Sequence, residues 1–376
     1  MARTCIRKSF TSAAAQRPVS DFRSDTVTKP CKNMRNAMYQ AQLGDDVYGE
    51  DPSVNTLEEY AAYITGKEAA LFVPSGTMGN LVAVGAHCAR GDEIVLGATS
   101  HMFLYEGGGA SAFMGASYAC VRERGDGTLA LNDVAAALRD DDVHCPRSRL
   151  LCLENTHNRA GGAPLPRAYL DDAARFAADR GLKLHIDGAR LANAAVAQRT
   201  SMRHLLEGAD SASICLSKGL GAPVGSVLVG SPGFVAKARR LRKALGGGMR
   251  QAGVLAAAGL EALINNFLRL SDDHANAAAL ARGLAAIRGV RQQQEQRRTN
   301  MVYFALESGG GGSSGAAAAA AFARRLADEH GVLVGGGYGA DGGTMRAVTH
   351  LDVGPADVER ALAAVRVLLA VAPAPR

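Results

Sequence analysis

The chain has no tryptophan, and aromatic residues make up only 5% of it. Its seven cysteines (Cys5, Cys31, Cys88, Cys120, Cys145, Cys152 and Cys215) are scattered, odd in number and form no CxxC pair. Neither a disulfide framework nor a zinc site is expected, no metal is called for, and a reducing compartment fits. No stretch approaches the ~18 apolar residues of a membrane span, so no membrane partner is expected. Basic residues number 42 against 36 acidic ones, for a formal net charge of +6. They form no long basic block with interleaved aromatics, and nucleic acid is therefore an unfavoured partner. No Walker lysine follows a glycine-rich turn, and no GxGxxG is followed by a ribose-binding acid, so nucleotide readings lose ground as well.

What is present is ample material for a core: 376 residues, 47% of them hydrophobic, enough for one large domain or two ordinary ones. The opening "MARTCIRKSFTSAAAQRPVS" contains Arg3, Arg7, Lys8 and Arg17 but no acid. It reads either as a tail or as a transit peptide. The expected location is cytoplasmic, or the mitochondrial matrix if residues 1–20 are a targeting segment.

From Leu71 onward, short apolar runs alternate with amphipathic or alanine-rich stretches: "ALFV", "NLVAVGAHCA", "EIVL", "DVAAALRD", "RLLCLE", "YLDDAARFAADRG", "LKLHID", "SASICLS", "GSVLVG". Alternation of this kind predicts parallel βαβ units and an open α/β sheet. Residues 234–265 read as helical with a break at Gly246–Gly248. "NMVYFAL", a helix over 317–329, "GVLVGGG", "MRAVTHLD" and a helix from Pro355 then make a smaller α+β unit. The expected organisation is a tail (1–20), an N-terminal arm (21–50), a large domain (51–250) and a small C-terminal domain (251–376), with a low-complexity surface loop at 308–321.

Open α/β sheets bind ligands at the carboxyl ends of their strands, so polar residues there are the candidates. Lys218 closes the run "SICLSK" against a glycine-rich turn, which makes it either a surface lysine or a nucleophilic amine. In "FVPSGTMGN", Ser75, Gly76 and Thr77 open a helix and form a phosphate seat, although many strand-to-helix turns look alike. Asp187 ends "LHID", with Arg190 three residues later, and an ordinary Asp–Arg ion pair is the plain alternative. His101 and His157 each follow a strand; singly, such a histidine is more often structural. Together, a lysine, an acid, a histidine and a phosphate seat are what pyridoxal 5'-phosphate requires.

The motifs "DFRSDTVTKP", "GDDVYGEDPSVNTLEEYAAYITGKEAALFVPSGTMGN", "ENTHN", "HIDGARLANAAVA", "SKGLGAPVGSVLVG", "GGGMRQAG" and "MRAVTHLD" resemble, in order along nearly the whole chain, those of the low-specificity L-threonine aldolases. The resemblance implies the aspartate-aminotransferase-like fold (fold type I), with a mainly parallel large-domain sheet and a smaller α+β domain. It also implies pyridoxal 5'-phosphate and retro-aldol cleavage of L-threonine, L-allo-threonine and related L-3-hydroxy-α-amino acids to glycine and an aldehyde. Carried over, Lys218 forms the Schiff base, Asp187 pairs with the pyridine nitrogen and His101 stacks on the ring. Gly76 and Thr77 bind the phosphate, with Lys243 and Arg250 reaching in from a neighbouring subunit of a homodimer or dimer of dimers. Ser24, Arg190 and Arg346 clamp the substrate carboxylate, and His157 sits near the β-hydroxyl; the base is His101, His157 or a water they orient. The alternative on the same fold is another lyase, a decarboxylase or an aminotransferase.

Overall fold

The computed structural model describes residues 18–292, 299–307, 315–339 and 341–370. The N-terminal tail, up to residue 17, lies outside them, as does 308–314 of the low-complexity stretch. The strands in chain order are β1 (Ser20–Phe22), β2 (Ala69–Val73), β3 (Asp92–Gly97), β4 (Ser117–Val121), β5 (Arg147–Glu154), β6 (Lys183–Asp187), β7 (Ser211–Cys215), β8 (Ser226–Gly230), β9 (Val290–Gln292), β10 (Met301–Leu306), β11 (Val332–Tyr338) and β12 (Thr344–Val348). They form a seven-stranded sheet in the order β2-β8-β7-β6-β5-β3-β4 and a five-stranded sheet in the order β1-β11-β12-β10-β9.

The large sheet is parallel from β4 through β7, as the alternation predicts. "GSVLVG" departs from that pattern, because β8 runs antiparallel to both β7 and β2. The link from Cys215 to Ser226 holds no helix, and a parallel return needs a crossover of a dozen residues or more. Reversal is the only direction left to it, and the same link holds Lys218.

Local chemistry sets the helix boundaries. The helix Pro52–Thr65 starts on Asp51, whose side chain accepts from the N–H groups of Ser53 and Val54, has proline in its first turn, and ends at Gly66 with φ 69°. Its buried Val54, Leu57, Ala61 and Thr65 share one face. Burying a side chain such as Leu57 is worth roughly 1.5–3 kcal/mol. The helix Gly76–His87 packs on the large sheet, where a Cβ on Gly79 would meet Ser213 Oγ at 2.3 Å. That position admits only glycine at this spacing.

Two expected boundaries move. Ala252, Ala256, Ala262 and Leu270 belong to the large core with Leu57, so the changeover to the small domain falls near Leu270 rather than at 250. Phe22, from the N-terminal arm, is buried in the small-domain core. The described part of the expected 308–321 loop is no loop, since Gly315–His330 is helical; alanine, which fills its start, has the highest helix propensity of any residue type. The sequence reading assigns nothing to the helix Leu270–Ala285 or to β4.

Candidate active site

The ends of β2, β3, β5, β6 and β7 meet at the carboxyl edge of the large sheet, and most of the expected residues meet with them. Asp187, the last residue of β6, is buried. Its Oδ2 accepts from Asn80 Nδ2 at 3.1 Å and its Oδ1 from the Ala189 N–H at 3.2 Å. Burial, then the neighbouring Glu154, push its pKa up, against the charges of His101 and Lys218. Lys218 lies in the turn after β7, where its carbonyl accepts from Gly221 N at 2.8 Å and from Thr28 Oγ1 at 3.0 Å. Its ammonium acts electrostatically on Asp187, His101 and Asp25. The expected ingredients are therefore within one another's fields.

His101 opens a short helix beyond β3. Its backbone N–H donates to Glu154 Oε2 at 2.7 Å, and its ring Nδ1 lies 2.9 Å from Glu106 Oε1. Burial opposes a charged ring here, but the Glu106 bond and the Asp187 charge outweigh it and raise the pKa. Glu154 also accepts from the Asn158 N–H at 2.8 Å, so one carboxylate fixes both histidine-bearing loops. His157 is buried, its Nδ1 accepts from the Ala160 N–H at 3.2 Å, and its Nε2 faces Glu123 Oε1 at 3.4 Å. Burial again opposes its charge, and Glu154 and Glu123 again win, raising its pKa.

At the start of the helix Gly76–His87, Ser75 Oγ accepts from Met78 N and its carbonyl accepts from Gly79 N. Among the described residues this leaves the N–H groups of Gly76 and Thr77, which have no intrahelical acceptor. Free N–H groups at a helix start can hold an anion.

The two arginines are held differently. Arg190 does not pair with Asp187. Its Nε and Nη2 each donate to Asp25 at 2.7 Å, both residues being buried, and Asn300 Nδ2 donates to the same carboxylate at 3.1 Å. Burial would raise the pKa of Asp25, but the Arg190 charge and hydrogen bonds hold it far below the carboxylate range. Arg346, on β12, donates from Nη1 to Asn158 Oδ1 at 2.8 Å and from Nη2 to the Arg23 carbonyl at 3.1 Å. Its buried Nε has no partner among the described residues, and its guanidinium lies 4.9 Å from the centre of the Tyr338 ring. Ser24 caps the turn Asp25–Val27 through Thr26 N. Lys243 and Arg250 stand apart from all of these: Lys243 is exposed in the last turn of the helix Pro232–Ala244, and Arg250 makes a surface ion pair with Asp45 at 2.9 Å.

Asn80, Glu106, Asp25, Glu154 and Asn158 escape the sequence reading as site residues. Four stand inside quoted motifs: Asn80 in "SGTMGN", Asp25 in "SDTVT", and Glu154 and Asn158 in "ENTHN". Ligand atoms of His101, Glu106 and Asp187 lie within 4.8 Å of one another, a spacing that admits a cation. The Asn80 amide donates to both carboxylates, at 2.8 and 3.1 Å, so protons already occupy that space.

A mostly parallel large sheet with these groups at one edge defines a lyase or transferase of the aminotransferase fold. Residues 21–307 match the model of the beta-eliminating lyases. The chain is 53% identical over 274 residues to a probable low-specificity L-threonine aldolase 2 of Arabidopsis thaliana, covering 72% of this chain and 77% of that one. It is 52% identical to the low specificity L-threonine aldolase of Escherichia coli, covering 70% and 78%. In structure it is similar to a threonine aldolase of Leishmania major, with a TM-score of 0.79 at 21% identity over 94% of this chain and all of the other. An aspartate aminotransferase of Rhodobacter sphaeroides matches with a TM-score of 0.68 at 19% identity over 96% and 95%. The chain belongs to the low-specificity L-threonine aldolase family.

Proposed function

We propose that the chain cleaves L-threonine, L-allo-threonine and related L-3-hydroxy-α-amino acids to glycine and an aldehyde, acetaldehyde in the case of threonine, with pyridoxal 5'-phosphate as cofactor. The observation behind this reading is the meeting of a buried carboxylate, Asp187, with the charges of Lys218 and His101 beside a helix start with two free N–H groups. Family membership supports it. When bound, the cofactor supplies a protonated ring that accepts the electron pair released from the Cα–Cβ bond.

The chain's own residues do the rest. Lys218 would be the amine that holds the cofactor covalently, and Asp187 would accept a hydrogen bond from its ring nitrogen. The His101 imidazole would lie against the ring, and Gly76 and Thr77 would offer N–H groups to the phosphate. Arg346, pinned at both terminal nitrogens, has Nε left for the substrate carboxylate, and Arg190 and Ser24, both tied to the Asp25 turn, would complete the clamp. With both ring nitrogens of His157 engaged by Ala160 and Glu123, the β-hydroxyl proton would fall to His101 or to a water that the two histidines orient. Product analysis with L-threonine, L-allo-threonine and D-threonine as separate substrates tests the reading. Glycine and acetaldehyde should appear from the L-isomers; their absence, with the cofactor bound, would sink the assignment.

Arg346→Ala is expected to lower kcat/KM about 10²-fold, raising KM and lowering kcat together, because orientation is lost along with binding. Steady-state kinetics check this, and an unchanged kcat/KM removes Arg346 from the site.

A homodimer or dimer of dimers is part of the proposal. Tyr39, Tyr48, Tyr63 and Leu268 are each at least 70% exposed in the single chain, and Arg250 stands on the surface, available to a partner's cofactor phosphate. Subunit mixing tests this. If Arg250 acts across the interface, Lys218→Ala and Arg250→Ala proteins unfolded and reassembled together should regain about a quarter of full activity, because half of the dimers are hybrids with one intact site of two. If it acts within its own chain, mixing restores nothing.

A further inference from the structure

The helix Gly76–His87 meets the large sheet with Val82, Ala83, Val84 and Ala86 buried, as an apolar contact should, yet a polar seam runs through it. Asn80, His185 and Ser211 are at most 2% exposed. His185 Nε2 lies 3.1 Å from Asn80 Oδ1, its Nδ1 2.8 Å from Ser211 Oγ, and Ser211 Oγ 2.8 Å from His87 Nε2. Buried polar groups are tolerated when all are paired, and a fully paired set fixes its own geometry.

The bonds can run in only one direction. Asn80 Nδ2 faces two carboxylate oxygens, of Glu106 at 2.8 Å and Asp187 at 3.1 Å. An amide nitrogen only donates and an amide oxygen only accepts, so the two amide hydrogens point to the carboxyl oxygens and Oδ1 must accept from His185 Nε2. A neutral imidazole has one N–H, so His185 Nδ1 accepts from the Ser211 hydroxyl, and Ser211 Oγ accepts from His87 Nε2–H. Burial, opposed at His87 by Asp210 and aided by Lys183 and Lys237, holds His87 down to about 4. His185, buried against His87, is held down to about 3. Both rings are thus neutral at ordinary pH, and every bond donates toward Asp187. Gly79 lets the helix close on β7, bringing Asn80 within reach.

We infer that Asn80 and His185 are positioning residues for the aldolase reaction: the chain His87–Ser211–His185–Asn80 holds Asp187 ionised and in one rotamer, with Oδ1 turned to the cofactor's ring nitrogen. The last clause rests on the cofactor reading above; the chain of bonds does not. Without these donors, burial and Glu154 would leave Asp187 nearer its neutral form, which is a poor acceptor for a protonated ring.

The test uses the full chain, with and without pyridoxal 5'-phosphate. Imidazole ¹⁵N spectra of the apoprotein should show His87 and His185 as neutral Nε2–H tautomers; a proton on His185 Nδ1 overturns the proposal. In His185→Leu the carboxyl ¹³C titration of Asp187 should move up by about one pH unit. Its dissociation constant for pyridoxal 5'-phosphate should rise about tenfold, and the ring-¹⁵N signal of the bound cofactor should shift toward the unprotonated form. Ser211→Ala, which removes only a hydroxyl, should give the same changes at smaller size and serves if the leucine variant does not fold. A folded variant with normal Asp187 titration and cofactor affinity overturns the inference. If the wild type binds no pyridoxal 5'-phosphate, the cofactor reading falls, and the tautomers and the Asp187 titration still decide on the chain.

Discussion

Lys218→Ala is expected to lose covalent cofactor attachment and to lower kcat/KM by at least about 10⁴-fold, a loss typical of removing a covalent catalyst. Three other described lysines can be set aside. Lys183 begins β6, at the opposite end from Asp187, and is paired with Asp210 at 2.8 Å. Lys237 and Lys243 belong to the helix Pro232–Ala244, and neither acts on the Asp187 carboxylate as Lys218 does. Borohydride reduction of the wild type with bound cofactor, followed by peptide mapping, should place the pyridoxyl label on residue 218. A label on Lys183, Lys237 or Lys243 refutes the assignment. The variant should still bind the cofactor non-covalently through the helix start and Asp187, so the loss is chemical and a folded protein should remain for spectroscopy.

Asp25→Ala carries the second large expectation, because it strands a buried guanidinium. Removing one partner of a buried pair costs about 3–5 kcal/mol, whereas replacing both by apolar groups is often neutral. Denaturant unfolding should therefore show a lower midpoint for Asp25→Ala and near-normal stability for Asp25→Ala combined with Arg190→Met. Activity should be low in both, since Arg190 is either misplaced or gone. Stability regained together with activity would mean that Arg190 serves only the fold. The pH dependence has a definite sign. The folded-state pKa of Asp25 is depressed, so its contribution is present above the unfolded value of ~3.9 and is lost as pH falls below that value. The wild type should lose stability more steeply in that acid range than the double variant.

The residues the sequence exposes best are those whose position along the chain already implies their place in space. Lys218, Asp187, His101 and His157 each follow an apolar run, and strand ends in an open sheet lie along one edge. Asn80 is invisible on that ground. It looks like any polar residue in a helix until the fold brings it to Asp187, 107 residues away. Asp25 and Arg190 are separated by 165 residues, and nothing local joins them. The signal for the reversal of β8 is the shortness of its link, which is too short for a crossover whatever the alternation suggests. The helix Leu270–Ala285 was hidden because many of its positions are alanine, which blurs the contrast between core and solvent faces. The cap at Ser75, whose hydroxyl and carbonyl take the N–H groups of Met78 and Gly79, is likewise a matter of backbone geometry that the sequence does not print.

The N-terminal arm ties the site to the far end of the chain. Ser20, Asp21 and Phe22 pair with Val332, Leu333 and Val334 in the small sheet, the Ser20 hydroxyl donates to Asp357 at 2.7 Å across 337 residues, and Thr28 and Asp25 reach Lys218 and Arg190. On a ribosome adding ~5–20 residues per second, the arm waits on the order of tens of seconds for its partner strands to emerge. During synthesis the large sheet has its strands but not the brace that locks Arg190, and pairings this distant in sequence are slow to close. The proposed site is thus completed last, and a nascent or prematurely ended chain should gain a core before it can hold a substrate.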